Sequence, residues 1–177
     1  GVPIPLLNNN TQNWNSDFAF TGTESLNLGT GTVTPNASRQ VTVNSNTLTV
    51  GGIIGGGAIG ITKLGAGALT LSGANTFSGG TTLSVGTLNI NNSSALGAAT
   101  GTFTINGGVI DNTTGGSITT LNYPQNWNGD FSFTGTQNLN LGTGNVSIGA
   151  NRQVTVSANT LPVGGILSAA GFNLTKA

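Results

Sequence analysis

The feature that most constrains this chain is a short-range alternation of apolar and small residues. Apolar pairs separated by one residue, such as Leu69 and Leu71 or Leu88 and Ile90, recur with Thr, Ser, Asn or Gly between them. This alternation places every second side chain on one face of a β-strand, and it fits no helical period. Glycine supplies 30 of the 177 residues and separates one apolar run from the next. The sequence therefore predicts an all-β fold of many short strands joined by turns.

A long internal repeat lies above this alternation. The tetrapeptide Gln12–Asn15 recurs as Gln125–Asn128, and the same offset aligns the two copies without a gap to the C-terminus. Self-similarity at a fixed period is typical of solenoids. We predict one continuous β-solenoid over residues 1–177, with an irregular start over 1–11, a full repeat over 12–124 and a partial second repeat over 125–177.

The spacing of the apolar pairs predicts three strands in each coil of the solenoid. Five steps along one series of strands fill the 113-residue repeat, which gives about 22–23 residues per coil, as in a three-sided solenoid. The longest step, from Phe103 to Phe131, predicts an enlarged turn or protruding loop over Asp111–Pro124. The core ladder expected from this series comprises Phe18, Val41, Ile61, Leu83, Ile105, Phe131 and Val154.

One stretch of the repeat resembles a known family. Ile61–Leu88 reads ITKLGAGALTLSGANTFSGGTTLSVGTL and is similar to the autotransporter-associated β-strand repeat (passenger-associated repeat) of bacterial surface proteins. The resemblance implies a secreted, right-handed parallel β-helix. It brings no catalytic residues with it.

Composition excludes several classes of function. The formal net charge is zero, with four basic and four acidic residues, so nucleic acids and anionic membranes find no basic patch to bind. The chain has no His and no Cys, which excludes imidazole or thiolate metal sites and Ser-His-Asp catalysis. No calcium-binding nonapeptide is present. We therefore expect no metal and no cofactor.

The sequence also bears on the membrane and on processing. The longest apolar, glycine-rich run, Gly51–Ile61, is shorter than the roughly 20 residues that a membrane-spanning helix needs. Because the chain begins at Gly1 without Met or a basic segment, we expect a processed or internal fragment.

The charged residues are too few and too scattered to predict an active site. Asp17 and Arg39 are separated by close to one coil, and Asp130 and Arg152 repeat that spacing, which predicts two inter-coil ion pairs. Polysaccharide cleavage requires a pair of carboxyl groups about 5–10 Å apart. The acids do not cluster in the sequence, and we predict that the protein is not an enzyme. The four acids are Asp17, Glu24, Asp111 and Asp130.

The aromatic residues offer an alternative function. Trp14, Trp127 and Tyr123 could contact sugar rings, although large aromatic side chains more often contribute by burial. We predict a structural protein of the bacterial surface that forms a stalk or filament by coil stacking, with its own coils, continued covalently or supplied by a neighbour, as its partner. The alternative is a carbohydrate-binding or adhesive passenger that contacts a surface polysaccharide. A polysaccharide-active enzyme is the weakest hypothesis.

Overall fold

The structure is a computed structural model, and it describes residues 4–5 and 9–177. This part of the chain is all-β, as the alternation predicts, and it forms 21 short strands. The strands are β1 (Ile4–Pro5), β2 (Gln12–Trp14), β3 (Phe18–Phe20), β4 (Leu26–Asn27), β5 (Val33–Pro35), β6 (Arg39–Val43), β7 (Thr47–Val50), β8 (Ile61–Leu64), β9 (Ala68–Leu71), β10 (Thr81–Leu83), β11 (Thr87–Ile90), β12 (Phe103–Ile105), β13 (Val109–Asp111), β14 (Ile118–Thr119), β15 (Gln125–Trp127), β16 (Phe131–Phe133), β17 (Leu139–Asn140), β18 (Val146–Ile148), β19 (Arg152–Val156), β20 (Leu167–Ser168) and β21 (Leu174–Lys176).

The strands stack as a parallel β-solenoid with three faces. The nine-stranded face has the order β1-β4-β7-β9-β11-β13-β16-β19-β21, and the eight-stranded face has the order β3-β6-β8-β10-β12-β15-β18-β20. The third face contains the pairs β2-β5 and β14-β17, and its middle coils are less regular. The right hand of the coil follows from the resemblance and from the general rule for parallel crossovers, and it stays a prediction.

Each coil places its apolar residues inward over those of the coil before it. Along the nine-stranded face, Leu26 pairs with Leu48, Leu48 with Leu69 and Leu69 with Leu88, so that the aliphatic side chains form a continuous row that is partly buried at Leu26 and fully buried beyond it. The third face is tightly packed: a Cβ added at Gly52 would lie 1.8 Å from the Gly31 carbonyl oxygen of the preceding coil. Glycine is required there because any side chain would push the two coils apart.

The prediction that five coils fill one repeat was wrong. Five steps along the nine-stranded face lead from β4 to β16, whereas the counterpart of β4 in the second copy is β17, the next strand along the chain. The repeat therefore makes five coils and one further face. Equivalent strands of the two copies consequently lie on different faces. β2 on the third face corresponds to β15 on the eight-stranded face, and β3 on the eight-stranded face corresponds to β16 on the nine-stranded face.

The predicted core ladder is corrected in the same way. Phe18, Val41, Ile61, Leu83 and Ile105 lie on the eight-stranded face, but Phe131 and Val154 lie on the nine-stranded face. On the eight-stranded face, Val41 pairs with Lys63 rather than Ile61, and Ile105 is followed by Trp127. The physical reason is that all three faces show the same alternation. One extra strand segment therefore moves every later strand by one face while its local pattern remains the same.

The uncounted strand is β15 (Gln125–Trp127), which directly follows the region predicted to protrude. Residues 112–124 cross the third face, where β14 pairs with β17, and Asn112 and Tyr123 are buried. The apparent long step disappears because β12 is followed by β15 and β13 by β16. In the predicted irregular start, β1 pairs with β4, and residues 1–3 and 6–8 lie outside the described residues.

Candidate functional site

The three aromatic residues considered for sugar contact are buried. Trp14, Trp127 and Tyr123 are 7%, 2% and 1% exposed, respectively. A sugar ring can stack only on an aromatic face that solvent reaches, so the predicted glycan contact by these residues is wrong. Their large apolar rings fill the solenoid interior instead, as the burial alternative predicted.

Each Trp is held in an identical corner at the start of its repeat copy. The Trp14 ring packs edge-to-face on Phe18 with centroids 4.9 Å apart, and its indole N–H donates to Gln12 Oε1 at 3.2 Å. In the second copy, Trp127 packs on Phe131 at 5.0 Å and donates to the side chain of Gln125. The indole therefore meets its hydrogen-bonding requirement inside the coil.

Tyr123 fastens the segment across the third face. Its hydroxyl donates to the Gly97 carbonyl oxygen at 2.7 Å, in the coil below. Burial raises the pKa of Tyr123 above its ordinary value, so the phenol stays neutral. The side chain acts as a neutral inter-coil tie.

The two predicted ion pairs behave differently. Arg39 Nη1 lies 3.8 Å from Asp17 Oδ1, and the guanidinium also contacts Asn36 Oδ1. Asp130 and Arg152 form no ion pair in the described part of the chain. Arg152 Nε instead donates to the Trp127 carbonyl at 3.1 Å, and Asp130 accepts from a backbone N–H.

The buried acid, Asp111, is held by hydrogen bonds within the solenoid. Asp111 is buried, and its carboxylate accepts from the Asn112 N–H, the Thr136 N–H and the Thr136 hydroxyl. Over residues 4–5 and 9–177, no group of three potential metal ligands comes together. Nor does this part of the chain contain a helix long and apolar enough to cross a membrane.

Lys63 is the functional group that the sequence reasoning overlooked. It is fully buried on the eight-stranded face between Val41 and Leu83. Its ammonium donates to the carbonyl oxygens of Leu64 at 2.9 Å, Gly65 at 2.7 Å and Val85 at 3.1 Å. Since Val85 belongs to the following coil, Lys63 ties two coils together. Burial lowers the pKa of Lys63 to about 8.

Apolar openings lie at both ends of the described solenoid. The C-terminal end carries a cavity of about 590 Å³, lined by Trp127, Val154, Leu161, Leu174 and Lys176 among others. The N-terminal end has a cavity of about 320 Å³, whose lining includes Trp14, Phe18 and Phe20. Ile166 is 71% exposed and Leu174 is 40% exposed near the C-terminal opening. Such apolar patches indicate surfaces that another element covers.

Two comparisons with known proteins match part of the chain. The model of the Passenger-associated-transport-repeat family matches residues 61–90. The chain carries an autotransporter-associated repeat. A 90-residue stretch, 51% of the chain, is 38% identical to the Adhesin BmaC autotransporter of Brucella suis biovar 1 (strain 1330), and it covers 2% of that protein's length. No solved structure matches the chain.

Lys63 lies near the start of the segment that matches the repeat, residues 61–90. Its position in the alternation of inward and outward residues could have revealed that it is buried. Ile59, Ile61 and Lys63 follow one another at intervals of two residues, so strand alternation directs Lys63 inward with Ile61. Because lysine is rarely buried, composition alone argues against an inward Lys. The alternation was the stronger signal.

Proposed function

We propose that this chain is a non-catalytic stalk segment of a bacterial surface protein. Its solenoid would hold other parts of that protein away from the cell. The observation that carries the proposal is the continuous inward stacking of apolar side chains from coil to coil, tied by Lys63 and Tyr123. All buried side-chain polar atoms in the described residues have hydrogen-bond partners. No buried polar side chain of these residues therefore weakens the stacked coils, as a stiff spacer requires.

Two further observations support a surface stalk. The similarity to an autotransporter adhesin favours a position outside the cell. Three of the four acids have structural tasks: Asp17 and Asp130 accept backbone hydrogen bonds, and Asp111 ties two coils. A side chain committed to such bonds is poorly placed to act as a general acid or base.

The stalk proposal is tested by changing the length of the parent protein on the cell surface. Each 113-residue repeat should add roughly 26 Å, because five and one third coils rise by about 4.8 Å each. Deleting one complete repeat from the native gene should shorten the projection by that amount in electron micrographs, with surface display retained. An unchanged projection would contradict the proposal.

A second candidate is adhesion through the outward polar rows, which the adhesin relative favours. Exposed amides pair between coils, as where Asn128 Nδ2 donates to Asn106 Oδ1 at 3.1 Å. We propose surface polysaccharide as the ligand class for these rows. A glycan array probed with the intact chain and with an Asn106→Ala, Asn128→Ala variant tests it. Binding by the intact chain that the variant lacks supports adhesion, and absence of binding in both argues against it.

A further inference from the structure

We propose that the two ends of this solenoid are complementary to each other after rotation by one face, so that a second copy of the chain stacks head to tail with a turn of one third about the axis. The inference rests on the proposed stalk function and makes its self-association specific. It also defines which strand meets which.

The chain itself contains the template for this junction. β1 pairs with Leu26–Asn27, and β14 pairs with the equivalent residues Leu139–Asn140. The successive strands β1, β2 and β3 therefore correspond to β14, β15 and β16, which form the coil in which the second repeat copy begins at Gln125.

Inside the chain, that first coil rests on a coil of the preceding copy. β15 pairs with β12 on the eight-stranded face, and β16 pairs with β13 on the nine-stranded face. On the third face, the Leu121 N–H donates to the Ser93 carbonyl at 2.9 Å. The coil formed by β14, β15 and β16 therefore stacks on a coil that ends with β13 on the nine-stranded face.

The C-terminal end of the described solenoid offers the same platform. Residues 160–163 cross the third face, followed by β20 on the eight-stranded face and β21 on the nine-stranded face. A second copy fits when its β1 lies over 160–163, its β2 over β20 and its β3 over β21. Without rotation, its β1 would compete with β21 for the same position on the nine-stranded face.

The character of the two ends suits this contact. The two apolar openings would close on each other, bringing Phe18 and Phe20 of the second copy over Leu174 and Lys176 of the first. Lys176 is the counterpart of Lys63 and pairs with Val154 as Lys63 pairs with Val41. In the stack, its ammonium would gain carbonyl partners from the copy above. Within 157–177, no other charged side chain opposes pairing.

Engineered cysteines test the register, since the native chain has none. Outward residues on adjacent parallel strands lie about 4.8 Å apart, which suits a disulfide. The rotated stack brings Asn13 over Ser168 and Ala19 over Thr175. Without rotation, Ala19 would lie over Ser168. The test variants are N13C/S168C and A19C/T175C, and A19C/S168C is the matched control. On the third face, Pro5 of the second copy would lie near Pro162 of the first, and proline cannot donate a backbone hydrogen bond. No cysteine is therefore placed on that face.

On oxidation at high protein concentration, both test variants should form ladders of covalent oligomers on a denaturing gel. The control, A19C/S168C, should form no more covalent oligomer than chains that carry only one of the cysteines. Adding Leu174→Asp to either test variant should abolish the ladder, because a carboxylate would enter the apolar junction. In micrographs, non-covalent filaments should repeat at roughly 40 Å per copy.

Two results would overturn the proposal. Equal or greater cross-linking of A19C/S168C would show that the ends stack without the rotation. Monomers in every variant, by cross-linking and by sedimentation, would show that a second copy does not occupy these ends. Either result leaves the projection experiment unaffected, so failure of the stacking proposal is distinguishable from failure of the stalk proposal.

Discussion

The two repeat copies, 12–64 and 125–177, show the same local structure on different faces of the solenoid. Arg39 Nε donates to the Trp14 carbonyl at 2.9 Å, and Arg152 Nε donates to the Trp127 carbonyl at 3.1 Å. Asn46 and Asn159 also both adopt positive φ, at 54° and 53°. A corner is therefore encoded by its own sequence and by the strand below it, whichever face it occupies.

The copies differ where their sequences differ. Asn36, which contacts the Arg39 guanidinium, is replaced by Gly149 beside Arg152. Thr49 lies in β7, whereas its counterpart Pro162 lies in a segment that forms no strand. Proline lacks the backbone N–H that a ladder needs. The second copy thus keeps its corners, lacks a counterpart of β7 and gains β20, where the first copy has only an isolated bridge at Ile54.

The largest expected difference between the copies concerns a core aromatic. Phe133 is fully buried within the stack, and its counterpart Phe20 is partly exposed beside the N-terminal cavity. Phe133→Ala should lower the free energy of unfolding by about 3–5 kcal/mol because it leaves a cavity. Phe20→Ala should lower it by less than half as much. Urea denaturation measures both, and equal losses would contradict the burial difference.

The second prediction concerns Thr49 in β7 and its counterpart Pro162, each replaced by the residue found at the other position. Thr49→Pro should destabilise the chain by about 1–3 kcal/mol, since β7 lies between β4 and β9 and a ladder hydrogen bond is removed. Pro162→Thr should change stability by less than about 0.5 kcal/mol, because that segment is exposed to solvent at the end of the stack. Thermal unfolding measures the pair. A tolerated Thr49→Pro would show that β7 pairing contributes little.

The third prediction separates buried Lys63 from exposed Lys176. Burial lowers the pKa of Lys63 from 10.5 to about 8, so between these values the unfolded chain binds more protons than the folded one. Stability should therefore rise with pH from about 8, by about 2 kcal/mol at pH 10. Above pH 10 the raised pKa of Tyr123 opposes the rise, because only the unfolded phenol ionises.

Urea titrations at successive pH values measure this effect. Lys63→Met should remove the rise, and Lys176→Met should retain it, because Lys176 is exposed in the monomer. A rise that persists in Lys63→Met would assign the pH dependence to another group.

The smallest effect concerns the two aspartates. Asp17→Asn and Asp130→Asn should each lower stability by less than about 1 kcal/mol, since both side chains are exposed. The loss at Asp17 should shrink in high salt, because part of it comes from Arg39, whereas the loss at Asp130 should not. Denaturation at low and high salt compares them, and equal salt dependence would contradict the ion-pair difference.

Much of the fold could be predicted from local pattern. The alternation predicted strands, and the predicted core ladder followed the eight-stranded face from Phe18 to Ile105. The site was harder to predict. The sequence does not state whether Trp14 faces solvent, and burial of Lys63 depends on the carbonyls that the Val85 coil supplies.

By itself, the sequence determined the all-β class, the 113-residue repeat and the corner chemistry of each copy, because these depend on neighbours within a few residues or in the coil below. Only the tertiary structure decided which face each copy occupies. A strand's face is set by the number of strands before it, and Gln125–Trp127 (β15) lacks the apolar alternation by which the other strands are recognised. One added strand therefore rotated the whole second copy without changing its local pattern.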